Sequence, residues 1–167
     1  DQGGFTSALF RDPSAWYHIV LAVDTTQATD TNRMKLYVNG SQVTLDGTYG
    51  YFVQNADTLV NSTNAHYIGQ NGASDLYMNG YLAEINFIDG GTPSTAVDAD
   101  GSITGTPGAT YLLDFGEFSA TTGVWTPKRF SGPWNVGTGV NGFYLKFSNN
   151  SDVTAATLGA DYSGNGN

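Results

Sequence analysis

Residues 16–43 read WYHIVLAVDTTQATDTNRMKLYVNGSQV, two apolar runs around a polar loop. Residues 16–23 are aromatic or aliphatic apart from His18 and rich in strand-forming Val and Ile. Residues 34–38 alternate, with Met34, Leu36 and Val38 on one face and Lys35 and Tyr37 on the other. A period of two between turn residues predicts a half-buried strand. Asp24–Arg33 is Thr, Asn and Asp with Ala28 as its one apolar residue, which predicts a solvated hairpin loop. Asn39-Gly40 accepts positive φ at both turn positions and reverses the chain into Gln42-Val43. The expectation is a three-stranded antiparallel meander with one face on a core, the face of Trp16, His18, Val20 and Ala22.

The 167 residues suffice for a domain of ordinary size, and 40% hydrophobic content suffices for a core. Twenty-two glycines and 13% charged residues, with Thr, Asn, Ser and Asp filling the polar positions, suit strands and turns and disfavour helix interiors. No window keeps a helical period beyond about two turns. The fold class is read as all-β. A formal charge of −9 argues against nucleic acid and anionic lipid as partners, since both need Lys and Arg to replace counterions. The same acidity suits calcium. The chain has no cysteine, which removes disulfides and thiolate zinc sites. No apolar run approaches the roughly 20 residues needed for membrane insertion, and Asp1-Gln2-Gly3-Gly4 has neither the basic nor the apolar region of a signal peptide.

Along the rest of the chain, residues 5–10 form a candidate short strand, and residues 45–64 a long loop with one or two short strands. Further strands are expected at 66–69, 80–89 and 141–148. Tyr81, Ala83, Ile85 and Phe87 fall on one face of the 80–89 run, with Leu82 and Ile88 on the other, as in a central strand covered on both sides. In the last run Phe143, Leu145 and Phe147 alternate against Tyr144 and Lys146. Residues 90–110 read as a linker or long excursion, Leu112–Phe118 as a candidate helical turn, and the final LGADYSGNGN as turn chemistry.

Four elements in order carry a family resemblance: Trp16-Tyr17-His18-Ile19-Val20, Leu36-Tyr37-Val38-Asn39-Gly40, Tyr67-Ile68-Gly69, and Gly80–Ile88, GYLAEINFI. Together they resemble the laminin G-like domain, which implies a concanavalin A-like jelly roll, a two-sheet antiparallel sandwich. Phe115-Gly116-Glu117-Phe118, Gly123–Lys128, Asn141–Leu145 and Leu158–Asn167 are similar to virion and tail-fibre proteins of marine phages. The expected organisation is a laminin G-like jelly roll over 1–114 and a loop-rich C-terminal extension over 115–167, packed on or continuing the sandwich. Fifteen residues precede Trp16, where laminin G-like domains carry several strands. The expectation is a piece of a longer chain whose open strand edge is paired by preceding residues or by a neighbouring subunit, in a homo-oligomer.

Each candidate site has a plain structural reading beside it. His18, without a cysteine partner, reads as a packed structural histidine, and Trp16 as a core residue. Jelly-roll glycosidases of the laminarinase type carry E-x-D-x-x-E; here Glu84-Ile85-Asn86-Phe87-Ile88-Asp89 replaces the middle acid by an amide and places the last off register. Hydrolysis needs an acid and a nucleophile together, so no enzyme activity is expected. No G-x-S-x-G is present. For a metal, calcium is the candidate cofactor. Asp98-Ala99-Asp100-Gly101 forms half a calcium loop, with Ala96 and Pro107 where further ligands would stand. Asp24, Asp30 and Asp75 are loop acids at the expected rim.

Loop aromatics set among Gly and Asn suit sugar rings, which stack on aromatic faces while amides take the hydroxyls. The candidates are Tyr51, Tyr77, Trp125 and Trp134, with Tyr49 and Phe52 beside them. The expected function is a non-catalytic virion surface or tail-fibre-type protein whose jelly roll binds host-surface glycan, located on the virion or extracellularly. The alternatives are a purely structural capsid or fibre decoration, and a carbohydrate-binding module of a secreted enzyme.

Overall fold

The computed structural model describes residues 6–46, 50–70, 77–90, 96–97, 103–104, 112–149, 151–152 and 154–166. Asp98 and Asp100, together with Tyr49 and Asp75, fall outside them. The chain divides into two compact units. The first joins Asp1–Asp57 to Gly91–Ser131, and the second joins Thr58–Gly90 to Gly132–Asn167.

The first unit is built on the expected meander. Strands β1 (Ile19–Val23), β2 (Met34–Val38) and β3 (Ser41–Val43) lie in that order in one antiparallel sheet. The register pairs Ile19 with Val38, Leu21 with Leu36, and Leu36 with Val43. Asn39 and Gly40 take φ of 49° and 76°, so the predicted tight turn is in place. Asn39 also extends the ladder by one step. Its N–H donates to the His18 carbonyl, and its side-chain oxygen accepts from the His18 N–H.

The core lies on the expected side of the sheet, the side that carries His18 and Val20. Tyr37, opposite Val20 in the ladder, is 3% exposed and forms the cluster with Leu112 and Trp125, with Val20 packed against it. The opposite face carries the apolar residues Ile19, Leu21, Leu36 and Val38. Val38 is buried there, while Ile19 and Leu21 are exposed. Alternation gave the two faces correctly, although both are apolar. Trp16 is a correction. It stands before the first residue of β1 and is 66% exposed, outside the ladder that ends at the His18–Asn39 pair.

Candidate helix gives way to hairpin at residues 112–127. A 3-10 turn over Leu112–Asp114 leads directly into β7 (Gly116–Phe118), which pairs antiparallel with β8 (Trp125–Pro127). Two-residue strands β5 (Ala96–Val97) and β6 (Ile103–Thr104) pair within the excursion expected over 90–110. The candidate strand at 5–10 is reduced to a single bridge between Thr6 and Leu45.

In the second unit β4 (Ile85–Phe87) pairs antiparallel with β9 (Phe143–Leu145), and the Phe87 and Phe143 rings stack at 5.2 Å. Both strands are shorter than expected. Glu84 at φ 50° ends β4 on one side, and Phe147 at φ 53° stops β9 from running on, since a left-handed residue breaks an extended strand. Tyr144, rather than its neighbours Phe143 and Leu145, is the buried residue of β9. No strand forms at 66–69; the chain there makes one bridge, Gln70 to Tyr77. The four-residue α1 (Ala155–Leu158) is the one α-helix among the described residues.

Arg33 ties the meander's hairpin loop together. Its Nε donates to the Gln27 carbonyl at 2.8 Å, Nη2 to Ala28 at 2.9 Å and Nη1 to Phe52 at 2.7 Å. A planar fork aimed at three carbonyls has no lysine equivalent. Replacement of Arg33 by Lys should lower stability by about 1–2 kcal/mol, read as an earlier urea midpoint at unchanged m-value. An unchanged midpoint would show that these bonds are replaced by water at no cost.

Candidate functional site

Trp125 is clamped inside the first unit. Its ring occupies the space where a Cβ would stand on Gly40, 2.1 Å from Cε3, and on Gly116, 2.2 Å from Cζ2. Its indole N–H donates to His18 Nδ1 at 3.1 Å. Phe118 meets the ring edge-on at 5.0 Å, and His18 lies 5.8 Å from it. At 7% exposure the ring has no open face to offer a sugar. Accepting the indole hydrogen requires Nδ1 to be unprotonated, so the neutral imidazole carries its hydrogen on Nε2. His18 is thus the packed structural histidine that its sequence setting suggested.

Trp134 lies in the second unit. It stacks on Tyr144 at 5.5 Å with the planes 10° apart, and its indole N–H donates to the Asn86 side-chain oxygen at 2.9 Å. The ring is half-buried. Tyr51 is also half-buried. Tyr77 is the candidate held most openly, at 67% exposure.

Tyr77 belongs to a small built surface. The Met78 N–H donates to the Gly69 carbonyl at 2.6 Å, beside the Gln70–Tyr77 bridge. Met78 Cβ and Leu82 Cδ1 lie 3.6 and 3.9 Å from where a Cβ would stand on Gly69. The limb 67–70 is therefore laid against the limb 77–82. Tyr67 and Tyr81 are exposed on the same two limbs, Tyr81 at 87%. The exposure of Tyr81 was not expected, because Gly80–Ile88 reads as a covered strand. Its signal was local: Asn79-Gly80 immediately before it is turn chemistry.

The acids are committed elsewhere. Asp89 Oδ1 accepts from the Asn61 amide at 2.7 Å, and Oδ2 accepts from the Val140 and Asn141 N–H groups at 2.8 and 2.9 Å. It closes a loop. Glu84 Oε1 accepts from the Tyr144 hydroxyl at 3.0 Å. Asp24 Oδ1 accepts from both the N–H and the hydroxyl of Thr26, and Oδ2 accepts from the Gln27 amide. The candidate metal ligand thus caps the start of the hairpin loop. Among the described residues no three His, Asp or Glu side chains gather to hold a metal ion.

The family described as the concanavalin A-like lectin/glucanases superfamily, of laminin G type, matches residues 4–97. The chain belongs to this family. The all-β class and the laminin G-like reading of the sequence both hold. The family description spans binding proteins and hydrolases alike. Comparison with curated proteins and with solved structures found no match.

Burial among Trp125 and Phe115 pushes the His18 imidazole below its ordinary value of about 6.5. The unfolded chain then takes up the proton first. The stabilisation is fully present above pH 6.5 and is lost as pH falls from there through the lower folded value. Urea midpoints measured from pH 7.5 downward should therefore fall, and His18→Gln should flatten that part of the profile. An unaltered profile in the variant would assign the acid sensitivity to other groups.

Proposed function

We propose that this chain is a non-catalytic glycan-binding domain of a virion surface or tail-fibre-type protein, acting on the virion or outside the cell. The observation that carries the reading is the outward display of Tyr67, Tyr77 and Tyr81 on two limbs fixed against each other. A tyrosine face stacks on the C–H face of a sugar ring, and the hydroxyl and nearby amides take its polar groups. Family membership supports carbohydrate as the ligand class.

The acids support the absence of hydrolysis. Retaining and inverting mechanisms both need a carboxylic acid and a second carboxylate flanking the bond. Asn86 has an amide at the middle position and is held by Trp134, and both carboxylate oxygens of Asp89 serve as loop clamps. The virion setting rests on the likeness of residues 115–167 to marine phage proteins. A second reading, a structural decoration bound only to its own assembly, is favoured by the exposed Ile19 and Leu21 on the outer side of the meander.

A pull-down of recombinant protein on host-envelope polysaccharide tests the first reading. Wild-type protein is expected to be retained, and Tyr81→Ala to weaken retention about tenfold while keeping its melting temperature, since stacking on one ring contributes on the order of 1 kcal/mol. No reducing ends should appear from laminarin or agarose. Turnover that disappears in Glu84→Gln would overturn the non-catalytic part, and absence of retention on any envelope would leave the decoration reading.

A further inference from the structure

Resting on the glycan-binding reading, we infer that the Tyr67–Tyr77–Tyr81 surface is selective for uncharged glycans and rejects those bearing uronate, sulfate or sialate groups. The inference stands on charge. Between residues 58 and 90, the stretch that builds the surface, there is no Lys or Arg, while Asp75, Glu84 and Asp89 are acidic. Over the whole second unit the sequence has a single basic residue, Lys146, against those three acids plus Asp152 and Asp161. Lys146 lies over the Tyr162 ring, 5.9 Å from its centre. The chain as a whole carries −9.

Recognition of an anionic sugar needs a cation, and tight recognition needs the paired donors of arginine. The stretch 58–90 has none to offer, and the net field of the chain repels an approaching anion. What the surface does offer is apolar and neutral. The Tyr67, Tyr77 and Tyr81 rings are accompanied by Met78 and Leu82, which pack over Gly69 and brace the limbs. Asn79 is exposed in the same run, with an amide that both donates and accepts. Rings for the C–H faces and an amide for the hydroxyls match a hexose polymer without charge.

An array carrying neutral glucans, mannans and galactans beside uronate, sulfated and sialylated glycans decides the matter, with Tyr77→Ala and Tyr81→Ala run in parallel. Both positions are exposed, so both variants should melt as the wild type does. The expected result is binding to a neutral group alone, reduced about tenfold or more by each variant and unchanged between about 0.05 and 0.5 M salt, where ion-pair recognition would weaken. Binding confined to anionic glycans would overturn the inference and leave glycan binding standing. Neutral binding unaffected by both variants would also overturn it, by placing the site elsewhere. Binding to no glycan at all would overturn the glycan-binding reading and this inference with it.

Discussion

The indole of Trp125 fills space that the chain leaves empty by placing glycine at two distant points. Gly40 stands in the turn between β2 and β3, and Gly116 in the strand that pairs with Trp125's own. Any side chain at either position would enter the ring. Gly40 additionally needs its left-handed φ for the turn. The indole N–H, which would be costly to bury unpaired, finds His18 at the end of the meander. One residue thus joins the β7–β8 hairpin to the β1–β3 sheet by shape, by burial on the order of 2–3 kcal/mol and by a hydrogen bond. Tyr37 and Leu112 complete the cluster, and the sheet's orientation toward it follows from where Trp125 sits.

In the second unit polar side chains take over the joining. Asp89 holds residues 140 and 141 by their backbone N–H groups, and Asp161 accepts from the Tyr144 and Ser163 N–H groups. The terminal Asp161-Tyr162-Ser163-Gly164-Asn165 run is the fitting that closes the end of β9: the Tyr162 N–H donates to the Tyr144 carbonyl, and the Asn165 amide to the Gly142 carbonyl. Carboxylates spent on backbone donors are poor candidates for proton transfer, and this links the architecture of the unit to a binding rather than a hydrolytic reading.

The meander was legible because alternation and Asn39-Gly40 are local signals, and the structure keeps their register. The core face was legible in Val20, whereas the residues that meet it were not, because Tyr37 is joined there by Leu112 and Trp125, far along the chain. For the same reason Trp125 read as a loop aromatic: among Gly and Thr, with no periodicity around it, nothing local announces a slot formed by Gly40 and Gly116. Strands at 80–89 and 141–148 were found but drawn too long, since left-handed Glu84 and Phe147 are conformations that sequence does not favour for those residues. Tyr81 read as a covered strand residue by the same over-extension, whereas the exposure of Tyr77 was legible because its setting is a turn.

The central claim is that the Trp125 slot organises the first unit, and urea denaturation of Gly116→Ala tests it most directly. Gly116 does not have positive φ, so its backbone accepts alanine. Restricting the unfolded chain there would by itself raise stability by about 0.4–1 kcal/mol. The account predicts the opposite sign, a loss of about 1–3 kcal/mol as the methyl group enters the indole. Equal or greater stability in the variant would contradict it.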